Sequence, residues 1–295
     1  MKMIKAIPVT LLTGFLGAGK TSYLNELLAR GLPQGSLILV NDFGCINIDA
    51  ELIEYSDERI MRLSNGCICC TLGGSLAERL AELLRMSPLP SNIYIEASGI
   101  ANPARIADMV RVSPRLSLAE VICLIDAGQA ERYSQDPLVT EVWHQQIRAA
   151  SLLIINRLPP SLSLPPVLAQ LLSRAPARVE LLAGAPETAA VADRGQPPPR
   201  TIGSGRWHSF SLTFSGAIDG QRLAGLLQEY GDVLFRAKGM LLRRGRDKAE
   251  VLQLSGGRLN WSPVVKSPAK GQLVCIGAGG ERMNQLARAL NALNS

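Results

Sequence analysis

The chain has 295 residues, 47% of them apolar and 19% charged, with a formal net charge of +6. That length accommodates one large domain plus a smaller one with a real core, and the composition excludes a disordered or fibrous chain. The apolar runs are of strand length, too short for a membrane-spanning helix, and the basic residues lack the aromatic interleaving of a nucleic-acid stacking platform, so neither membrane nor nucleic acid is expected as a partner.

The charge is unevenly placed. Residues 1–204 hold 18 Lys and Arg against 19 Asp and Glu, whereas residues 205–295 hold 13 against 6. The basic excess therefore belongs to the C-terminal part, where Arg243-Arg244-Gly245-Arg246 reads either as a solvated hairpin end or as a partner-recognition surface. The N-terminal Met1 to Lys5 leads directly into an apolar run, so no secretory leader is expected and a cytoplasmic location is. The cysteines are clustered, three of the six within four residues, and not spread as a framework, which in that setting points to metal or redox chemistry before disulfides.

In chain order, strand-like runs fall at Ile7–Leu12, Leu37–Asn41, Asn92–Glu96, Glu120–Asp126, Leu152–Asn156 and Arg178–Leu182. Helical patterns lie between them at Thr21–Arg30, Gly74–Arg85, Pro103–Val110, Val139–Ala150 and Pro165–Ser173. Strands separated by helices predict an α/β fold with a doubly wound, mostly parallel sheet, over residues 1–183. Residues 184–204, with Pro197-Pro198-Pro199, read as a Pro/Ala/Gly-rich linker. Residues 205–295 read as a small α+β C-terminal domain: strand Trp207–Phe214, helix Asp219–Tyr230, strands Val233–Leu242, Ala249–Leu254 and Leu273–Ile276, then an amphipathic helix Glu281–Leu293.

Between the first strand and first helix stands Gly14-Phe15-Leu16-Gly17-Ala18-Gly19-Lys20-Thr21, which fits the G-x-x-x-x-G-K-[ST] phosphate-binding loop at every required position. Gly14, Gly17, Ala18 and Gly19 let backbone N–H groups turn inward on a phosphate, and the helix N-terminus through Ser22 adds its partial positive charge. Lys20 is expected to reach the β- and γ-phosphates and the Thr21 hydroxyl to hold Mg²⁺. In a parallel sheet, ligands sit beyond the carboxyl ends of the strands, and Asn41-Asp42, Glu96, Asp126 and Asn156 all fall at such ends.

A second cluster is Asn65-Gly66-Cys67-Ile68-Cys69-Cys70. Three thiols within four residues converge on one soft cation if the loop bends, since adjacent Cys69 and Cys70 cannot both face it from a regular strand. Zn²⁺ is favoured, with Co²⁺, Ni²⁺ or Cu⁺ as alternatives, and three protein ligands leave a position for exchange. Buried packing cysteines are a second reading of the same thiols and redox sensing a third.

The phosphate loop written TGFLGAGKT together with GCICC resembles the CobW family of P-loop GTPases, relatives of the urease and hydrogenase nickel-insertion GTPases. The family's Asn-Glu-Phe-Gly switch segment is echoed by Asn41-Asp42-Phe43-Gly44 with Ile48-Asp49. Its Glu-x-Thr/Ser-Gly-x-Ala-x-Pro segment is echoed by Glu96-Ala97-Ser98-Gly99-Ile100-Ala101-Asn102-Pro103. Its C-terminal Arg-x-Lys-Gly is matched by Arg236-Ala237-Lys238-Gly239, and its closing strand by Cys275-Ile276-Gly277. The resemblance implies a GTPase metallochaperone that hands a metal to a client metalloprotein. It implies Asp42 and Glu96 as residues ordering Mg²⁺ or its waters, and the Gly99 backbone as the sensor of the γ-phosphate. A γ-phosphate that orders the switch could reshape the thiolate loop that follows it.

Three departures qualify this expectation. The guanine-reading Asn-Lys-x-Asp appears as Asn156-Arg157-Leu158-Pro159, so Asn156 stays, the Arg157 stem could stack on a base, and the carboxylate is gone. Its charge-assisted bonds to guanine are worth about 1.5–3 kcal/mol each, so ATP stands beside GTP as the nucleotide. Cys45 stands where the family commonly has Glu: either it completes a four-thiolate site with Cys67, Cys69 and Cys70, or it is a small switch residue outside it. The family's His-rich stretch is missing, and His144 and His208 lack ligand-spaced neighbours. Cys123 and Cys275, inside apolar strands, read as core. Client, native metal and oligomeric state, monomer or homodimer, stay open, as does a metal-binding protein gated by nucleotide with little hydrolysis.

Overall fold

The computed structural model describes residues 6–40, 60–62, 74–158, 164–175, 177–182, 207–264 and 270–294. They divide into two compact units, one within residues 6–182 and the other from residue 207 onward. The linker expected at 184–204 lies outside the described residues.

In the first unit the strands are β1 (Ile7–Thr13), β2 (Ser36–Val40), β3 (Ile60–Arg62), β4 (Asn92–Glu96), β5 (Leu116–Asp126), β6 (Leu152–Asn156) and β7 (Arg178–Leu181). The helices are α1 (Lys20–Arg30), α2 (Gly74–Leu83), α3 (Pro103–Val112), α4 (Ala130–Gln135), α5 (Pro137–Ala149) and α6 (Pro166–Leu172). All paired strands run parallel, in the order β3-β2-β4-β1-β5-β6-β7. Every residue of β2 and of β6 is buried, as strands covered on both faces require. Alternate residues feed opposite faces. Val9, Leu11, Leu37 and Leu39 pack with Leu76, Leu80 and Leu83 of α2 and Ile106 and Val110 of α3. Leu12, Ile38 and Val40 pack instead with Tyr23 and Leu24 of α1.

The register brings the chemistry to one edge. Leu12 of β1 and Val40 of β2 each pair with Glu96, Thr13 with Cys123, and Asp126 with Asn156. Glu96 therefore ends β4 beside Leu12 and Ile122, whereas β5 and β6 run on together and end at Asp126 and Asn156, further out along the same carboxyl-end side of the sheet that the sequence reading expects.

The second unit is an antiparallel sheet, β11-β10-β9-β12-β8. Its elements are β8 (Trp207–Phe214), α7 (Gly220–Glu229), β9 (Leu234–Leu241), β10 (Glu250–Ser255), β11 (Arg258–Pro263), β12 (Gly271–Ala278) and α8 (Glu281–Asn291). Leu223 and Leu227 of α7 and Met283, Leu286 and Leu290 of α8 pack on Ala237, Leu252, Leu254, Leu273 and Cys275. Ala237 of the Arg-Ala-Lys-Gly run points into that core, and Lys238, on the other face, is buried too. The basic run occupies the turn between β9 and β10. Arg243 there is committed: it makes a two-pronged ion pair with Glu250, at 2.5 and 2.7 Å, and lies 4.5 Å from the Trp261 ring centre. The hairpin reading of this run therefore holds for Arg243, while Arg244 and Arg246 are exposed.

Candidate nucleotide site

The loop joining β1 to α1 is shaped by its glycines. Gly14, Gly17 and Gly19 have φ of 135°, 79° and 99°, in the range side chains disfavour. At Gly14 a Cβ would also stand 2.4 Å from the Leu124 carbonyl oxygen of β5, so the loop lies directly on the neighbouring strand. Gly19 caps the N-terminus of α1, whose first turn holds no acidic residue, and the helix end is left electropositive for an anion. Lys20 is buried, and its Nζ donates to the carbonyls of Gly14 at 2.9 Å and Phe15 at 3.4 Å, which keeps the ammonium inside the loop. Ala18 is buried in the loop and Ser22 is exposed on the first turn of α1.

Thr21 Oγ1 donates to Glu96 Oε1 at 2.8 Å, joining the start of α1 to the end of β4. Because the hydroxyl proton goes to the carboxylate, the oxygen's lone pairs remain for a cation. Two further hydroxyls border this edge: Thr13 Oγ1 and Ser98 Oγ are buried without a hydrogen-bond partner among the described residues. A carboxylate, a threonine oxygen and two hydroxyls in want of partners fit a hydrated Mg²⁺ beside a phosphate.

Asn156, at the end of β6, serves the loop as well: its Nδ2 donates to the Ala18 carbonyl at 3.1 Å and its Oδ1 accepts from the Arg157 N–H at 2.8 Å. Arg157 adopts a φ of 53°, uncommon for a side-chain-bearing residue. Its guanidinium reaches the Gly17 carbonyl at 2.7 Å and the Asp126 carboxylate at 2.6 Å, and these anchors stabilise the turn. Asp126 is buried and its other oxygen accepts from the Gly128 N–H at 3.1 Å. Sequence reading put Asp126 at a strand end without a role; the signal for one was its register with Asn156, which sets the next residue, Arg157, within reach.

The turn after β4 presses on the loop. A Cβ on Gly99 would stand 2.8 Å from the Leu16 nitrogen and 2.9 Å from its Cα, so only glycine lets the two backbones approach. Gln146 of α5, fully buried, donates from Nε2 to the carbonyls of Gly99 at 3.0 Å and Ala101 at 3.3 Å. On the other flank of the loop, Tyr133 of α4 packs edge-on against Phe15, 4.9 Å between ring centres, with Trp143 of α5 behind it at 6.1 Å. Gln146 and Tyr133 escaped the sequence reading: a glutamine on a helical pattern resembles an ordinary surface position, and Tyr133 lies on α4, a short helix between Asp126 and Val139 where no element was read.

Asp42, Cys45, Cys67, Cys69 and Cys70 lie outside the described residues, as do Asn41 and Pro159. Among the described residues no group of three or more His, Cys, Asp or Glu could hold a metal. Cys123 and Cys275 are buried in their strands, and burial pushes the Cys123 thiol up to about 12, making it inert. His144 stacks on Trp143, and burial holds its pKa below the usual value.

Comparison with known proteins agrees with this geometry. The family model described as CobW/HypB/UreG, nucleotide-binding domain, matches residues 8–160, just over half of the chain, and the cobalamin synthesis protein cobW C-terminal domain matches residues 207–294. A zinc chaperone CobW of Sinorhizobium is 27% identical over 179 residues, 51% of each chain. A zinc-regulated GTPase metalloprotein activator 1 of Schizosaccharomyces pombe is 33% identical over 161 residues, 51% of this chain and 39% of that one. The chain thus spans about half the length, or less, of these curated relatives. The Zn(II)-bound YjiA GTPase from E. coli aligns over 99% of this chain and 100% of its own at 22% identity, with a TM-score of 0.42, a likeness too loose for residue-level argument.

Proposed function

From the premise that this chain belongs to the CobW/HypB/UreG family, we propose that it hydrolyses GTP, with ATP as the alternative, in a Mg²⁺-dependent reaction coupled to binding zinc and delivering it to a client metalloprotein. The observation that carries the reading is the convergence of Lys20, Thr21 and Glu96 at the N-terminus of α1. Lys20 and the loop amides supply positive charge to the transferring phosphoryl group, and Glu96 orients the Thr21 hydroxyl. When bound, Mg²⁺ would draw charge from the phosphate oxygens at Thr21 and Glu96. Asn156 and Arg157 hold the loop in shape from the base side.

Zinc is the cargo in this reading, held by Cys67, Cys69 and Cys70, with Cys45 as a fourth ligand, and Asp42 joins the Mg²⁺ ligands. The names of the relatives, zinc chaperones and a zinc-regulated activator, favour zinc over Co²⁺, Ni²⁺ or Cu⁺. No helix among the described residues is long and apolar enough to cross a membrane, which fits action in the cytoplasm, where a client would be loaded.

The test is phosphate release from GTP and from ATP, with Mg²⁺, on reduced protein with and without stoichiometric Zn²⁺. GTP turnover that changes with zinc is expected. Turnover of neither nucleotide, with both still bound, would replace this reading by a metal-binding protein gated by nucleotide without hydrolysis.

A further inference from the structure

We infer that Gln146 is the positioning residue that aims the Gly99 amide at the terminal phosphate, so that α5 sets how strongly the site prefers a triphosphate to a diphosphate. This rests on the nucleotide reading above. A chain of hydrogen bonds fixes the turn after β4. The Ser98–Gly99 peptide is planar and trans, so the direction of the Ser98 carbonyl fixes that of the Gly99 N–H. The Ser98 carbonyl accepts from the Ala101 N–H at 3.0 Å. Gln146 Nε2 in turn grips the carbonyls of Ala101 and Gly99, at 3.3 and 3.0 Å. One amide group thus holds both ends of a three-residue turn whose first glycine abuts Leu16 of the phosphate loop.

The burial of this glutamine is not explained by packing. Gln146 is 0% exposed, and its Oε1 has no hydrogen-bond partner among the described residues. An unsatisfied buried acceptor is costly, and a methionine of similar length would avoid that cost. What methionine cannot supply is the two N–H donors. Trp143, one turn earlier on the same helix and 1% exposed, locks α5 against Tyr133, so the amide is delivered from a fixed platform rather than a mobile side chain.

The experiment is titration of full-length wild type and Gln146→Met with GDP and with a non-hydrolysable GTP analogue, both with Mg²⁺. The variant is expected to bind GDP within about twofold of wild type and to lose about tenfold for the analogue, the scale of one or two hydrogen bonds no longer held in place. Equal losses for both nucleotides, or no loss for either, would overturn the inference and leave the nucleotide reading standing. A wild type that binds neither nucleotide overturns both. Should the variant fail to fold, hydrogen exchange on wild type decides: the amides of residues 97–102 and 143–149 are expected to be protected more with the analogue than with GDP, and equal protection overturns the inference.

Discussion

The Thr21 hydroxyl donates its proton to the Glu96 carboxylate across 2.8 Å, and this one bond aligns the start of α1 with the end of β4. Reversing its polarity is therefore informative. In Glu96→Gln the new amide can donate to Thr21 and consume the lone pair meant for a cation. Phosphate release is expected to fall by about 10²–10³, the range for losing one preorganised electrostatic group. Nucleotide binding without Mg²⁺ should stay near wild type, and an equal loss of both would assign Glu96 to loop stability instead.

Arg157 and Asp126 form the second coupled pair at this edge. The Asp126 side chain is 3% exposed and that of Arg157 43%, so the carboxylate depends on its partner far more than the guanidinium does. Arg157→Ala is expected to lower stability by about 1–3 kcal/mol, because it takes a guanidinium away from a buried carboxylate. The double variant with Asp126→Asn should recover much of that loss, and melting the four proteins of the cycle measures the coupling. Strict additivity would show that the pair is not coupled in solution.

Gly99→Ala puts a methyl group against backbone as well as side chain, 2.6 Å from Leu16 Cδ2 and 2.8 Å from the Leu16 nitrogen, and the backbone cannot turn aside. The expected cost is about 1–3 kcal/mol of stability, as for other overpacked sites. Nucleotide affinity should fall in addition, since the strain is relieved by displacing the phosphate loop. Calorimetry with GDP separates the two effects.

Much of this was legible in the sequence, for identifiable reasons. Buried parallel strands are written as unbroken apolar runs, so Leu152–Asn156 could be read to the residue. The phosphate loop is equally plain, because its glycines answer to backbone geometry and not to distant partners. Strand β11 was missed although its signal was present: Gly256-Gly257 forms a two-residue turn between Ser255 and Arg258, the hairpin pattern between two strands. Strand β3, three residues long, carries too little pattern to read. Gln146 was invisible for another reason, since its role exists only once α5 is laid beside the turn after β4, a contact 47 residues apart in sequence.

The cysteines divide into two classes that alkylation can separate. Burial pushes the Cys123 thiol up to about 12 and raises Cys275 further, so neither forms a reactive thiolate near neutral pH. Native labelling with iodoacetamide is expected to spare both. Stoichiometric Zn²⁺ should protect Cys67, Cys69 and Cys70, and the behaviour of Cys45 decides between three and four thiolates. Labelling of the cluster that ignores zinc would remove the thiolate site.

In the C-terminal unit the ion pair of Arg243 with Glu250 predicts an acid-sensitive contribution to stability. The Arg243 hydrogen bond, outweighing partial burial, holds the Glu250 carboxyl below its ordinary value of 4.5. A carboxyl with a lowered folded-state pKa stabilises the fold fully above its unfolded value and loses that stabilisation as pH falls through the folded one. The window therefore lies below 4.5, not near neutrality. Glu250→Gln keeps the side chain's shape and a hydrogen-bond acceptor but removes the titration. Melting curves of wild type and variant should be furthest apart at neutral pH and converge as the carboxyl of wild type is protonated. The absence of any gap at neutral pH would mean that shape, which Gln keeps, and not charge is what Glu250 contributes beneath Arg243 and Trp261.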